Sequence, residues 1–170
     1  MDYEKYIGVV EDFPKKGISF KDVSPLLANG EAMHRAVDEM AEIAKEWKPD
    51  LIIGPEARGF VFGVPVAYKL SVGFAMARKK GKLPGEVVAK TYTLEYNQAT
   101  IELKKGIVKE GTRVVLIDDL LATGGTLQAV KELVEENGGK VVGALTFIEL
   151  DALRKSRELT GIPFKAILSL

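Results

Sequence analysis

The sequence predicts an α/β fold, with a central, mostly parallel β-sheet flanked by helices. Three observations predict it. Short continuous apolar runs, such as Val114 to Ile117, have the character of strands buried on both faces. Segments of helical period, Glu31 to Trp47 and Thr126 to Glu136, separate these runs. The two kinds of element alternate along a chain of 170 residues, a length suited to one core and hence to a single domain over 1–170.

In chain order, Asp2 to Val10 reads as a short helix ended near Phe13-Pro14, and KKGISFKD as a turn followed by an extended piece. Met33, Val37, Met40, Ala44 and Trp47 recur at spacings of three and four, so Glu31 to Trp47 forms an amphipathic helix. Asp50 to Ile53 is a short buried strand ended by Gly54-Pro55. Gly59 to Leu70 is apolar enough for a buried helix, which Pro65 should kink or start late. Val72 to Ala77 is a second strand, leading into the basic stretch RKKGKLPG. Val87 to Leu94 and Thr100 to Leu103 carry β-branched residues around a polar connection. Arg113 to Ile117 is a core strand closed by two aspartates. Thr126 to Glu136 buries Leu127, Val130, Leu133 and Val134 and stops at Asn137-Gly138. Val141 to Ile148 and Phe164 to Leu168 complete the sheet. Ligands on such sheets bind beyond the carboxyl ends of the strands.

Composition narrows the function classes. Lys+Arg and Asp+Glu balance at 24 each, which gives no bulk preference for nucleic acid or membranes, so a cationic site must be local. Cysteine is absent and histidine occurs once, so neither disulfides nor a thiolate or imidazole metal cluster is expected. His34 falls on the polar side of its helix and reads as an incidental surface residue. The opening residues lack an apolar core of signal-peptide length and no run suffices to span a membrane, so a cytoplasmic protein is expected.

Chemistry concentrates in VVLIDDLLATGGT, residues 114–126. The apolar strand fixes Asp118 and Asp119, whose side chains must point to opposite sides. Ala122, Thr123, Gly124, Gly125 and Thr126 offer small side chains, two glycines free to take positive φ and two hydroxyls. Such a loop can wrap backbone N–H groups around an anion at the positive end of the following helix. A phosphorylated sugar suits this set, with phosphate in the loop and hydroxyls near the acids. Neither a Walker loop nor a dinucleotide fingerprint fits the spacing.

The segment closely resembles the phosphoribosyl pyrophosphate motif of the type I phosphoribosyltransferases. Further blocks resemble that family's adenine-specific branch. DFPKKGISFKDVSPLL resembles its N-terminal hood (about 12–28), GPEARGFVFG its pyrophosphate loop, RKKGKLPG its basic segment and TLEYNQATIEL its mobile lid (about 91–104). The resemblance implies that phosphoribosyl pyrophosphate and adenine become AMP and pyrophosphate, in purine salvage, with Mg2+ as cofactor carried mainly by the substrate pyrophosphate. It assigns the 5′-phosphate to Ala122–Thr126 and the ribose to Asp118 and Asp119. Pyrophosphate oxygens fall to Glu56, Ala57 and Arg58, with a cis peptide between Glu56 and Ala57, while Arg58, Lys79 and Lys82 can supply cations around the leaving group and Arg78 is a further substrate-binding candidate. Arg58 thereby joins Asp118, Asp119 and Glu95 as a catalytic candidate. Glu95 becomes the general acid/base at the adenine imidazole ring and Tyr96 its lid neighbour. Phe20 would stack on the purine, with backbone groups of Ser19 and Lys21 near its edge and Leu150 on the other face. A homodimer is implied as well.

Ser19 and Lys21 depart from the family pattern, which usually has an apolar residue and an arginine there. They keep open a 6-oxopurine phosphoribosyltransferase acting on hypoxanthine, guanine or xanthine. The simpler expectation is that Lys21 presents only its backbone, leaving its side chain free. A non-catalytic, phosphoribosyl pyrophosphate-sensing regulator would need a nucleic-acid surface, for which zero net charge gives no sign.

Overall fold

The structure is a computed structural model and describes residues 1–93 and 98–170. Its elements are strands β1 (Gly8–Val10) and β2 (Phe20–Asp22), helices α1 (Ser24–Ala28) and α2 (Gly30–Glu46), β3 (Leu51–Pro55), α3 (Arg58–Leu70), β4 (Gly73–Lys79), β5 (Val87–Thr93), β6 (Gln98–Lys104), β7 (Arg113–Leu121), α4 (Gly125–Glu136), β8 (Lys140–Glu149) and β9 (Phe164–Ser169).

Seven strands form the main sheet in the order β5-β6-β4-β3-β7-β8-β9. The core pairings β4-β3, β3-β7, β7-β8 and β8-β9 are parallel. Among the described residues β6 alone runs against the rest, antiparallel to both β4 and β5. Alternation along the buried strands feeds two cores. Ile52, Val115, Ile117, Leu145 and Phe147 pack with α2 and α3, whereas Ile53, Val114, Leu116 and Ala144 pack with α4. This explains why the strands read as unbroken apolar runs.

The chain leaves β3 through α3 toward β4, and leaves β7 through α4 toward β8, on opposite faces and in opposite directions. The strand order therefore reverses between β3 and β7, and a crevice opens beyond their carboxyl ends.

Three expectations need correction. Asp2 to Val10 is not one helix: a single 3-10 turn, Tyr3–Tyr6, precedes strand β1. Gly8, Val9 and Val10 pair antiparallel with Asp22, Lys21 and Phe20, a partner that local periodicity does not contain. Pro65 does not delay α3, which starts at Arg58 and runs to Leu70 with the proline inside it. Burial of Phe62, Val66 and Ala67 around it outweighs the lost backbone bond. Finally, β7 does not close at the aspartates but continues to Leu121, because β8 pairs with it as far as Glu149.

Candidate active site

The crevice is bounded by two helix N-termini. Ala57 caps α3 and Gly124 caps α4, and neither supplies a side-chain cap bond. Their first-turn N–H groups and positive dipole ends are available to an anion. Gly124 has φ +90°, which bends the chain from β7 into α4. Arg58, Asp118 and the loop Ala122–Thr126 line one cavity of about 280 Å³ there.

β3 pairs with β7 through Leu51–Ile53 and Val114–Leu116, so the aspartates lie beyond the paired stretch. Asp119 is 1% exposed, and its Oδ2 lies 3.1 Å from Arg58 Nε without accepting a hydrogen bond. The Asp119 N–H donates to Asp118 Oδ1 at 2.9 Å. Burial pushes both carboxyls up, and at Asp118 the neighbouring Asp119 charge pushes further, so Asp118 lies well above the usual carboxylate range. Arg58 opposes the shift most at Asp119 and favours leaving the pair's charge there.

These raised values give a stability prediction. A carboxyl with a raised native pKa contributes stability that is fully present below its unfolded pKa and is lost as pH rises through the native one. Asp118→Asn removes that loss while keeping the Oδ1 acceptor. Its melting temperature should exceed that of the wild type by a few degrees at pH 8, with the gap closing toward pH 4. A gap independent of pH would show that the aspartate's ionisation is not its cause.

Arg58 also links the acids to the N-terminal hairpin, since its guanidinium lies 5.2 Å over the Phe20 ring. Phe13 meets Phe20 edge to face at 5.3 Å. The Lys21 side chain is not free as expected. Its ammonium donates to Ser19 Oγ at 3.3 Å, and Ser19 donates to Glu11 at 2.9 Å, because β1-β2 pairing brings these polar groups onto one exposed face. Leu150 is part-buried against the α2–α3 core and donates its N–H to the carbonyl of Leu121 at 3.2 Å.

The Glu56-Ala57 peptide is cis, as expected. Glu56 braces the basic segment by accepting from Arg78 Nε and the Lys79 N–H, each at 2.8 Å. Burial raises the Glu56 pKa, but these bonds and the Arg78 charge outweigh it and hold the carboxyl low. Arg78 also donates to the Lys82 carbonyl at 3.1 Å, so it is committed to holding the turn. Lys79, Lys80 and Lys82 are exposed. Lys79 and Lys80 line a second cavity of about 630 Å³ with Tyr92, Gln98, Ala99, Thr100 and Thr126. Thr126 borders both cavities, so they adjoin.

Glu95 and Tyr96 lie outside the described residues. Sequence reasoning missed Tyr92, whose hydroxyl is 3.1 Å from that of Thr126. It also missed buried Glu102, which accepts from the Gly81 N–H at 3.0 Å and fixes the basic turn. Both fall within the lid bounds of about 91–104, but their alternation with apolar residues reads simply as strand. His34 is exposed beside Asp38, as expected.

Among the described residues, no group of three or more His, Cys, Asp or Glu side chains could hold a metal ion. Two carboxylates, one already facing Arg58, suit a magnesium ion held chiefly by substrate oxygens rather than a protein cage. No helix among the described residues is long and apolar enough to cross a membrane.

A glycine-containing loop at an uncapped helix start and paired acids at the switch point of this sheet are what a phosphoribosyl transferase domain presents, and the pattern of that domain matches residues 22–160. The adenine phosphoribosyltransferase of Clostridium perfringens strain SM101 is 53% identical over 161 residues, 95% of this chain and 94% of that protein. A crystal structure of adenine phosphoribosyltransferase from Thermoanaerobacter pseudethanolicus superposes with a TM-score of 0.96 at 44% identity, covering 99% and 98% of the two chains. The Saccharomyces cerevisiae structure, a complex with an imino-altritol bisphosphate and adenine, gives 0.90 at 36% identity, covering 98% and 97%. The chain belongs to the adenine phosphoribosyltransferase family.

Proposed function

We propose that this protein transfers the phosphoribosyl group of phosphoribosyl pyrophosphate to adenine, forming AMP and pyrophosphate in purine salvage. One observation carries the reading. Arg58 touches both Phe20, the candidate base platform, and Asp119, the candidate ribose acid, beside an uncapped anion loop.

The bond from the anomeric carbon to pyrophosphate breaks as the bond to the adenine imidazole ring forms, through a transition state with oxocarbenium character. Ala122–Thr126 holds the 5′-phosphate, and Asp118 and Asp119 hold the ribose and favour the developing positive charge. Lys79 and Lys82, on the turn braced by Glu56 and Arg78, offset negative charge on the leaving group. Magnesium, when bound, would supply further neutralisation of the leaving group, with Asp118 and Asp119 the nearest protein carboxylates to it. Phe20 and Leu150 sandwich the base in a hood of about residues 12–28. Glu95, with Tyr96 in a lid of about 91–104, handles the adenine proton and excludes water. The Lys21–Ser19–Glu11 chain supports a role for Lys21 in which only its backbone meets the base.

The active form is a cytoplasmic homodimer. Exposed Val64, Met76 and Ile107 surround an apolar cavity of about 420 Å³ shared with Phe60 and Phe74, the kind of surface that a second copy covers. Sedimentation at micromolar concentration should give twice the chain mass.

The test of function is a competition assay with magnesium, phosphoribosyl pyrophosphate and equal adenine, hypoxanthine, guanine and xanthine. AMP should be the dominant nucleotide. Predominant IMP, GMP or XMP would overturn the base assignment, and no nucleotide at all would overturn the enzyme.

A further inference from the structure

Tyr92 lies on β5, where Lys90 reaches α4 to pair with Glu132 at 3.1 Å and with Glu136. The Tyr92 ring is part-buried against the core that includes Leu127, Val130 and Leu133. Its hydroxyl thereby arrives 3.1 Å from Thr126 Oγ1, in the first turn of α4. Thr126 forms the wall between the cavity of the anion loop and the cavity lined by Lys79 and Lys80.

We infer that Tyr92 is a positioning residue of the phosphate site, aiming the Thr126 hydroxyl proton into the loop by donating its own hydrogen bond to Thr126 Oγ1. Each hydroxyl has one proton, and a phenol is the stronger donor of the two. With Tyr92 donating, the Thr126 proton is free for a phosphate oxygen, and the chained bonds polarise one another. Without Tyr92, the Thr126 hydroxyl can rotate toward the carbonyl of its own preceding turn, as helix hydroxyls do. Lys90 contributes by fixing the strand on α4, so the phenol needs no reordering when phosphate arrives. The inference rests on the proposed phosphoribosyl transfer for the identity of the anion, but not for the hydroxyl geometry.

Tyr92→Phe keeps the ring and its packing, so the fold should hold, with a melting temperature near that of the wild type. The variant should weaken binding of ribose 5-phosphate, measured by calorimetry, by about fivefold to tenfold, the worth of one neutral hydrogen bond. KM for phosphoribosyl pyrophosphate should rise in parallel while KM for adenine holds. Thr126→Ala should weaken ribose 5-phosphate at least as much, and adding Tyr92→Phe to it should cost nothing more. Wild-type affinity in Tyr92→Phe, equal rises in both KM values, or additive losses in the double variant would overturn the inference. The same binding pattern from a wild type that forms no AMP would uphold it while removing the proposed reaction.

Discussion

Replacing Asp119 with asparagine is expected to lower kcat by about 10²–10³-fold while changing KM for phosphoribosyl pyrophosphate only a few fold. The side chain is 1% exposed, and its Oδ2 faces Arg58 without a hydrogen bond. A charge held in that dry position acts strongly on charge that develops nearby, because little water screens it. Asparagine preserves shape and removes the charge, so the loss should fall on the transition state, where the ribose is most positive, rather than on the ground state. Steady-state kinetics with both substrates varied will check this. A kcat within threefold of the wild type would mean that Asp119 holds structure only. The raised carboxyl values imply a cost for keeping these acids together, which is why Asp118→Asn is expected to stabilise the protein at high pH.

The second large effect is expected at Gly59. A Cβ there would sit 2.7 Å from Pro55 Cδ, 2.9 Å from the Ile117 carbonyl oxygen and 3.2 Å from Asp118 Oδ1. All three neighbours belong to the central strands β3 and β7, and the Pro55 ring and the Ile117 carbonyl cannot yield cheaply. Gly59→Ala must therefore lift the start of α3 and carry the adjacent Arg58 away from Asp119 and Phe20. The expected cost is about 1–3 kcal/mol of stability from overpacking, read by urea denaturation. Because a misplacement near 1 Å can cost about 10²-fold in rate, activity should fall by that order even where the protein is folded. Normal stability with normal activity would show that the helix start is free to move. Gly54 belongs to the same close approach, since its Cβ would meet the Gly59 carbonyl oxygen at 2.6 Å.

The elements whose residues carry their own period were legible in the sequence. Helices α2 and α4 and strands β3, β8 and β9 fall where apolar spacing put them, because each buries its face by local geometry alone. The N-terminal segment was not legible. Val9 and Val10 are strand only because Phe20 and Lys21 lie alongside, ten or more residues away in the chain. The course of β7 beyond Ile117 likewise depends on β8.

At the site, sequence alone determined the chemistry on offer: two adjacent acids after an apolar strand, a glycine-containing loop opening a helix, and a local basic segment in a neutral chain. Those are properties of neighbouring residues, and covalent spacing fixes them. Only the tertiary structure decided which of these groups meet. It placed Arg58 between Phe20 and Asp119, turned Arg78 toward Glu56, and brought Tyr92 to Thr126. Each contact joins separate elements: α3 with β2 and β7, β4 with the end of β3, and β5 with α4. Such distances follow from sheet order and helix packing, which no window of sequence contains.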